Sequence, residues 1–334
     1  MGGTSTDVCL VLGGRPAPAA AREVAGFTVR FPSLDVLTIG AGGGSIAAID
    51  AGGALVVGPR SAGAEPGPAC YGRGGTEPTV TDADLVAGRI PPGASMGGMA
   101  LRPDLARAAL DAAGVTAQGV IDVVDANMER ALRAVTVERG VDPRALALVA
   151  FGGAGPLHAC ALADALGMEA VVVPARAGVL SAVGILTAPL QRDLVRSWPT
   201  PLDHDGLDAA LAELAEDAAA LVGAGAAVSV AVDCRYAGQS HEITVPTVAD
   251  FAEEHRRRNG YARPGADVEV IALRATARAE PAVDPASLPA PRRLDGGEVV
   301  GPASIAEDDC TIWVPAGWVA RDGAAGALVI RRRS

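Results

Sequence analysis

Residues 146–173 constrain the fold more than any other stretch of the chain. Leu146-Ala-Leu-Val-Ala150 is an apolar run suited to a buried strand, and Phe151-Gly152-Gly153-Ala154-Gly155 follows it. A helical stretch then runs from about Pro156 to Leu166, and Ala170 to Val173 is a second apolar run closed by Pro174. Proline suits the first turn of a helix, where its missing N–H costs nothing. Strand, glycine loop, helix and strand make an α/β crossover, which is right-handed in nearly all cases. The helix N-terminus beside Gly152, Gly153 and Gly155 is available to an anion or a polar ring. His158 falls in the first turn of that helix, where a histidine either caps and packs or acts in catalysis.

Two further glycine runs adjoin strands. Gly2-Gly3-Thr4-Ser5-Thr6-Asp7 leads into the apolar strand 8–12. Glycines let backbone amides approach a phosphate, because no Cβ blocks the approach and unusual φ is allowed. Thr4 and Thr6 add hydroxyl donors, and Asp7 could hold a hydrated Mg2+ ion. A hairpin turn explains the same glycines equally well. The third run, Gly40 to Ser45, directly follows the strand Val36–Ile39. Its Gly40-x-Gly42-x-Gly44 spacing does not match a dinucleotide-binding fingerprint, so Gly42, Gly43, Gly44 and Ser45 form either a ligand loop or a tight strand exit.

Composition removes several function classes. Hydrophobic residues make up 49% of the 334 residues and charged residues 20%, which supports buried cores in a globular chain. No apolar run is long enough to span a bilayer, and the first residues resemble no secretory signal. The net charge is −11, and all 28 cationic side chains are arginine. Without lysine there is no Walker-type phosphate loop, no Schiff-base lysine and no lysine general base. An acidic chain with no clustered base is a poor nucleic-acid binder. Cys9, Cys70, Cys160, Cys234 and Cys310 are scattered and odd in number, which fits reduced thiols in a cytoplasmic protein.

Periodicity fills in the rest. Residues 103–114 and 121–139 are predicted helices, the second with Val123, Val124, Met128, Leu132 and Val135 roughly on one face. Residues 27–31 and 54–57 are predicted strands, and 46–50 is either a strand or the start of a helix. Gly58 to Pro78 is a long Gly/Pro loop, a kind usually functional or disordered. Beyond residue 200 an alanine-rich helix over 206–222 and strands over 228–236, 242–245, 268–277, 310–314 and 325–330 are expected. The expected division is therefore an α/β domain over 1–200 and a smaller α+β domain over 205–334.

The motifs, taken together, resemble the hydantoinase A/oxoprolinase family. Met1-Gly-Gly-Thr-Ser-Thr-Asp-Val8 is similar to that family's second phosphate motif, and Ile39-Gly-Ala-Gly-Gly-Gly-Ser-Ile-Ala-Ala-Ile-Asp50 to a hallmark segment. Val57 to Gly72, Thr79-Val-Thr-Asp-Ala-Asp84 and Phe151 to His158 follow in the family's order, the last as its adenosine-side loop. Arg235 to Ser240, Gly301 to Ile305 and Val314 to Trp318 resemble its C-terminal part. The resemblance implies an α/β fold, the second lobe of an actin/sugar-kinase-like ATPase, followed by a smaller α+β domain. It implies ATP and Mg2+ as cofactors and phosphorylation of an amide or carbonyl oxygen in a small cyclic amide such as 5-oxoproline or a hydantoin. A ketone carboxylase subunit of the acetone or acetophenone type is the alternative within the family, and a non-catalytic assembly module the alternative outside enzymes. Asp7 and His158 become candidate catalytic residues, with Asp7 also the metal residue. The expected partners are a hydantoinase B/oxoprolinase-type subunit and an N-terminal half with the first phosphate motif. On this resemblance the chain starts partway through a motif, and its isolated activity is expected to be absent.

Overall fold

A computed structural model describes residues 1–19, 22–24, 26–29, 33–91, 93–96, 98–288, 294 and 296–333. The chain forms two compact units, Met1–Ala182 with Pro289–Ser334, and Val183–Leu288. The expected boundary near residue 200, with everything after it in one domain, is thereby redrawn. The last 46 or so residues return to the first unit because their strands complete its sheet.

In the first unit, β1 (Thr6–Cys9) pairs antiparallel with β2 (Val36–Ile39), Thr6 opposite Ile39. The expected single strand over 8–12 breaks at Leu10, and Val11 and Leu12 enter a short ladder with Arg15–Pro16, about half exposed. Phe27–Val29 is a strand with Phe27 exposed, while residues 30 and 31 of the strand expected there lie outside the described residues. β3 (Ser45–Ile49) and β4 (Leu55–Ser61) form an antiparallel hairpin, which settles residues 46–50 as strand.

The loop after β4 is ordered by the helix that follows it. α1 (Val80–Val86) starts at Thr79 with a capping box. The buried Asp82 carboxylate accepts from the amides of Ala69 (3.2 Å), Cys70 (2.7 Å) and Thr79 (2.9 Å) and from the Thr79 hydroxyl (2.8 Å). One carboxylate thus supplies the partners that a Gly/Pro loop cannot make for itself. α2 (Pro103–Ala113) and α3 (Ala117–Val135) follow, α3 capped by the Thr116 hydroxyl on the Gly119 amide at 3.1 Å. Val120, Ile121, Val124, Met128, Leu132 and Val135 of α3 are buried in the core, at helical spacing.

β5 (Leu148–Val149), α4 (Gly155–Leu166) and β6 (Ala170–Val173) are the crossover unit expected from the sequence, with β5 and β6 parallel. β6 is then flanked by a strand from the far end of the chain. α5 (Leu180–Thr187) closes this stretch. In the second unit, β7 (Gln191–Ser197), β8 (Ala227–Tyr236), β9 (Ile243–Val245) and β10 (Val268–Arg278) form an antiparallel sheet in the order β7-β10-β8-β9. α6 (Leu207–Val222) buries Leu207, Leu211, Leu214 and Ala218 in the core that this sheet provides, and α7 (Phe251–Asn259) contributes Phe251 and His255 as buried residues.

The chain then adds β11 (Glu298–Val300), the hairpin β12 (Ala303–Ala306) and β13 (Thr311–Val314), β14 (Trp318–Asp322) and β15 (Leu328–Arg332) to the first unit. Its main sheet runs β5-β6-β15-β14-β11, with Val171 opposite Ile330. Val171, Leu328 and Ile330 are fully buried there. Cutting these strands away would expose the apolar face of the crossover, which is why they belong to this unit.

Candidate functional site: a cavity between glycine loops and an acidic hairpin

The three glycine runs meet. Gly43 donates its amide to the Gly2 carbonyl at 2.9 Å and Gly44 to the Gly3 carbonyl at 2.6 Å. Ala154 and Gly155 donate theirs to the Met1 carbonyl, each at 3.2 Å. The packing demands glycine at Gly42, where a Cβ would lie 2.6 Å from the Gly3 carbonyl carbon and the Thr4 nitrogen. Gly152 adopts φ +82°, and a Cβ there would run into the Met1 backbone.

A cavity of about 230 Å3 opens where the loops converge, lined by Gly2, Gly3, Gly43 and Gly153 together with Tyr71, Thr81, Leu157 and the hairpin residues 307–311. Thr81 fixes the wall it shares with Gly43, whose carbonyl accepts from both the Thr81 amide (2.7 Å) and its hydroxyl (2.8 Å). Among the described residues, no acceptor takes the amide hydrogens of Gly3, Thr4 or Gly153. A Cβ built on Gly3 or Gly153 meets nothing closer than 3.9 Å. Free donors in open, side-chain-free backbone are what an anion cradle offers.

Not all the expected ligand residues stand here. Thr6 is buried and donates its hydroxyl to the Ala41 carbonyl at 2.6 Å. Ser45, fully buried, accepts the Gly42 amide at 2.8 Å. Both hydroxyls are used in shaping the loops. Thr4 is exposed, 3.5 Å from the Ser61 hydroxyl, and Gly42, Gly44, Gly152 and Gly155 serve loop packing without lining the cavity. Asp7 lies on β1 with its side chain accepting from the Thr38 hydroxyl at 2.6 Å, outside the cavity lining.

His158 differs most from expectation. It is fully buried in the core, its Nδ1 2.7 Å from Asp125 and its Nε2 3.3 Å from Asp84. The second contact is an ion pair without hydrogen-bond alignment. Burial alone would lower the imidazole pKa. The Asp84 charge and the Asp125 hydrogen bond outweigh it and raise the pKa to about 9. An imidazolium held this way does not reach a ligand in the cavity, so direct catalysis by His158 does not fit its placement.

The opposite wall carries no motif in the sequence. Glu307, Asp308, Asp309, Cys310 and Thr311 belong to the β12–β13 hairpin. The hairpin packs closely on Gly178, whose amide donates to the Asp309 carboxylate at 3.1 Å. The ligand atoms of Glu307, Asp309 and Cys310 lie within 4.8 Å of one another. Two carboxylates suit Mg2+, a hard ion that takes oxygen donors, whereas the Cys310 thiol does not. Carboxylates facing free amides repel a phosphate unless a cation stands between them. Burial pushes the Cys70 thiol up and raises Cys160 and Cys234 to about 12, so these three offer no nucleophile. None of the five cysteines is in a disulfide.

Comparison with known proteins now fits this geometry to a lineage. Residues 1–194 match the hydantoinase/oxoprolinase family. The chain belongs to that family. Among its relatives, caprolactamase subunit alpha of Pseudomonas jessenii is 33% identical over 385 aligned positions, covering 95% of this chain and 55% of that subunit. The crystal structure of the ATP-dependent caprolactamase from Pseudomonas jessenii superposes with a TM-score of 0.74 and 31% identity, over 100% of this chain and 58% of that one. The acetophenone carboxylase gamma subunit of Aromatoleum aromaticum is 42% identical over 197 positions, 55% of this chain and 26% of that subunit. The expected fold class stands: this hydantoinase/oxoprolinase chain has the α/β lobe of an actin/sugar-kinase-like ATPase. It spans about half the length of the caprolactamase it matches. Among the described residues, no helix is long and apolar enough to cross a membrane.

Proposed function

We propose that this chain supplies one wall of the nucleotide site of an ATP-dependent hydrolase acting on cyclic amides. The observation that carries the reading is the convergence of three glycine loops on one cavity, with the amides of the lining residues Gly3 and Gly153 free to donate. In the proposed reaction a lactam or hydantoin oxygen attacks the γ-phosphorus of ATP and ADP leaves. Water then adds to the activated carbon, the ring C–N bond opens as the nitrogen takes a proton, and a second water cleaves the resulting acyl phosphate into carboxylate and phosphate. The protein's task in such a step is positioning and charge stabilisation. Gly2 and Gly3 would face phosphate, with Thr4 next to them in the same loop, and Gly153 the adenosine side. Glu307 and Asp309 are better placed than Asp7 to hold Mg2+ beside the glycine loops. A hydantoinase B/oxoprolinase-type subunit would be the partner, in keeping with the subunit names of the relatives.

The test is ATP affinity measured by calorimetry on the 334-residue chain and on Gly153→Val, whose branched side chain should block close approach and weaken binding at least about tenfold. Unchanged affinity in the variant would defeat the assignment. Turnover of ATP on adding 5-oxoproline or a hydantoin, with a hydantoinase B/oxoprolinase-type subunit present, would extend the assignment from binding to hydrolysis. The likeness to an acetophenone carboxylase subunit favours a second reading, ketone activation with bicarbonate as co-substrate. Ketone-stimulated ATP turnover by the reconstituted enzyme would select it. A chain that binds no ATP under any condition would instead be an assembly module.

A further inference from the structure

His158 lies between groups that reach three walls of the cavity. Asp84 sits on α1, one turn after Thr81, which lines the cavity and holds Gly43. Asp125 sits on α3. His158 follows Leu157, another lining residue at the start of α4. Arg89, largely buried, has its Nη1 3.8 Å from Asp84 and donates from the same nitrogen to the Leu157 carbonyl at 3.2 Å. The Arg89 carbonyl in turn accepts from the Ser304 hydroxyl at 2.8 Å, on the strand that leads into the acidic hairpin.

Such a network is costly as mere glue. Taking several charges out of water costs more than packed apolar side chains of similar volume, and both Asp84 oxygens are buried without a hydrogen bond. What charges do better than methyl groups is fix one geometry, because only one arrangement pairs them all. Here that arrangement ties α1, the glycine loop before α4 and the 307–311 hairpin to one another.

We propose that Asp84, His158 and Arg89 are positioning residues that hold the three walls of the cavity in register for a phosphate-bearing ligand. The proposal rests on the nucleotide reading for the identity of that ligand, but not for the coupling of the walls. The charged groups facing His158 are Asp84 from α1 and Asp125 from α3, with Arg89 behind Asp84. β6 and β13, which also pack on α4, carry no charged side chain. The raised pKa keeps the imidazole charged at neutral pH, so the network should loosen only as pH climbs through about 9.

The experiment compares the 334-residue chain with Asp84→Asn and Asp125→Asn, two near-isosteric changes. Amide hydrogen exchange is followed at residues 152–157 and 307–311, with β10 as an internal reference, and ATP affinity is titrated from pH 6 to pH 10. In Asp84→Asn, exchange should rise at both cavity segments while β10 is unchanged. ATP affinity should fall roughly tenfold or more, since small misplacements of binding groups are costly. The alkaline loss of affinity should shift to lower pH, because a carboxylate that held the proton is gone. Asp125→Asn should act in the same direction. Wild-type exchange, affinity and pH profile in both variants would overturn the proposal. So would a uniform rise in exchange across the first unit, which would reduce the network to general stability. If the wild type binds no ATP but Asp84→Asn still loosens both segments selectively, the wall coupling stands and the nucleotide reading falls.

Discussion

The two buried histidines sit in opposite surroundings. His158, in the first unit, is fully buried between Asp84 and Asp125. His255, in the second, is 2% exposed and bonds neutral groups: the Tyr261 carbonyl lies 2.8 Å from Nδ1 and the Gln239 amide nitrogen 3.2 Å from Nε2. Tyr236, Phe251 and Tyr261 pack edge-on around its ring, with centroids 4.9 to 5.5 Å away. Burial of a histidine therefore says little by itself. What separates the two is whether the ring completes a charged network or an aromatic core.

That difference should show first in stability. His158→Leu strands Asp84 in the interior and should cost about 3–5 kcal/mol, the range for breaking a buried ion pair. His255→Leu removes only neutral hydrogen bonds from a packed aromatic cluster and should cost about 1–3 kcal/mol. Urea denaturation of both variants measures the gap, and equal losses would erase the distinction.

A second expectation concerns pH. The folded-state pKa of His158 is raised from 6.5 to about 9. Its contribution to stability is therefore complete below about pH 6.5 and is lost as pH rises through about 9, on the order of 3 kcal/mol in all. Denaturation at pH 6 and pH 10 should show this loss in the wild type and much less of it in Asp84→Asn. A wild type equally stable at both ends would mean that the ring is neutral.

The glycines carry the contrast to smaller effects. A Cβ on Gly178 would run into the Asp309 backbone, so Gly178→Ala should destabilise the cavity wall by about 1–3 kcal/mol. Gly184, in α5, has open space around its Cβ position. Gly184→Ala should therefore raise stability by about 0.5–1 kcal/mol. Thermal melts of the pair give the signs, and a neutral Gly178→Ala would show that the hairpin wall yields.

The sequence made the parts of this site visible more readily than their arrangement. The glycine loops and the β5–α4–β6 crossover are local, so runs of glycine and apolar periodicity expose them. α1 escaped notice because it is short, follows a Gly/Pro loop and opens on Thr79-Val-Thr-Asp82, a capping box with aspartate in place of the usual glutamate. Long-range pairing explains the larger misses. β15 returns to flank β6 across more than 150 residues, a pairing that no local pattern announces. The same displacement hid Glu307 to Thr311, an acidic turn that resembles any solvated hairpin until it faces glycine amides. Thr6 and Ser45 look like phosphate donors in sequence, yet Ala41 and Gly42 occupy their hydroxyls. His158 was identifiable at the start of α4, but Asp84 and Asp125 lie 74 and 33 positions away, so nothing local marks the three as one network.

The most direct test of the nucleotide cavity is to titrate ATP into the isotopically labelled chain and map the amide shifts. Gly2, Gly3, Thr4, Gly43, Gly153 and Ala154 should move, together with Thr311 on the hairpin wall, while residues 183–288 stay fixed. Shifts confined to residues 183–288, or none at millimolar ATP, would contradict a nucleotide site between the glycine loops and the acidic hairpin.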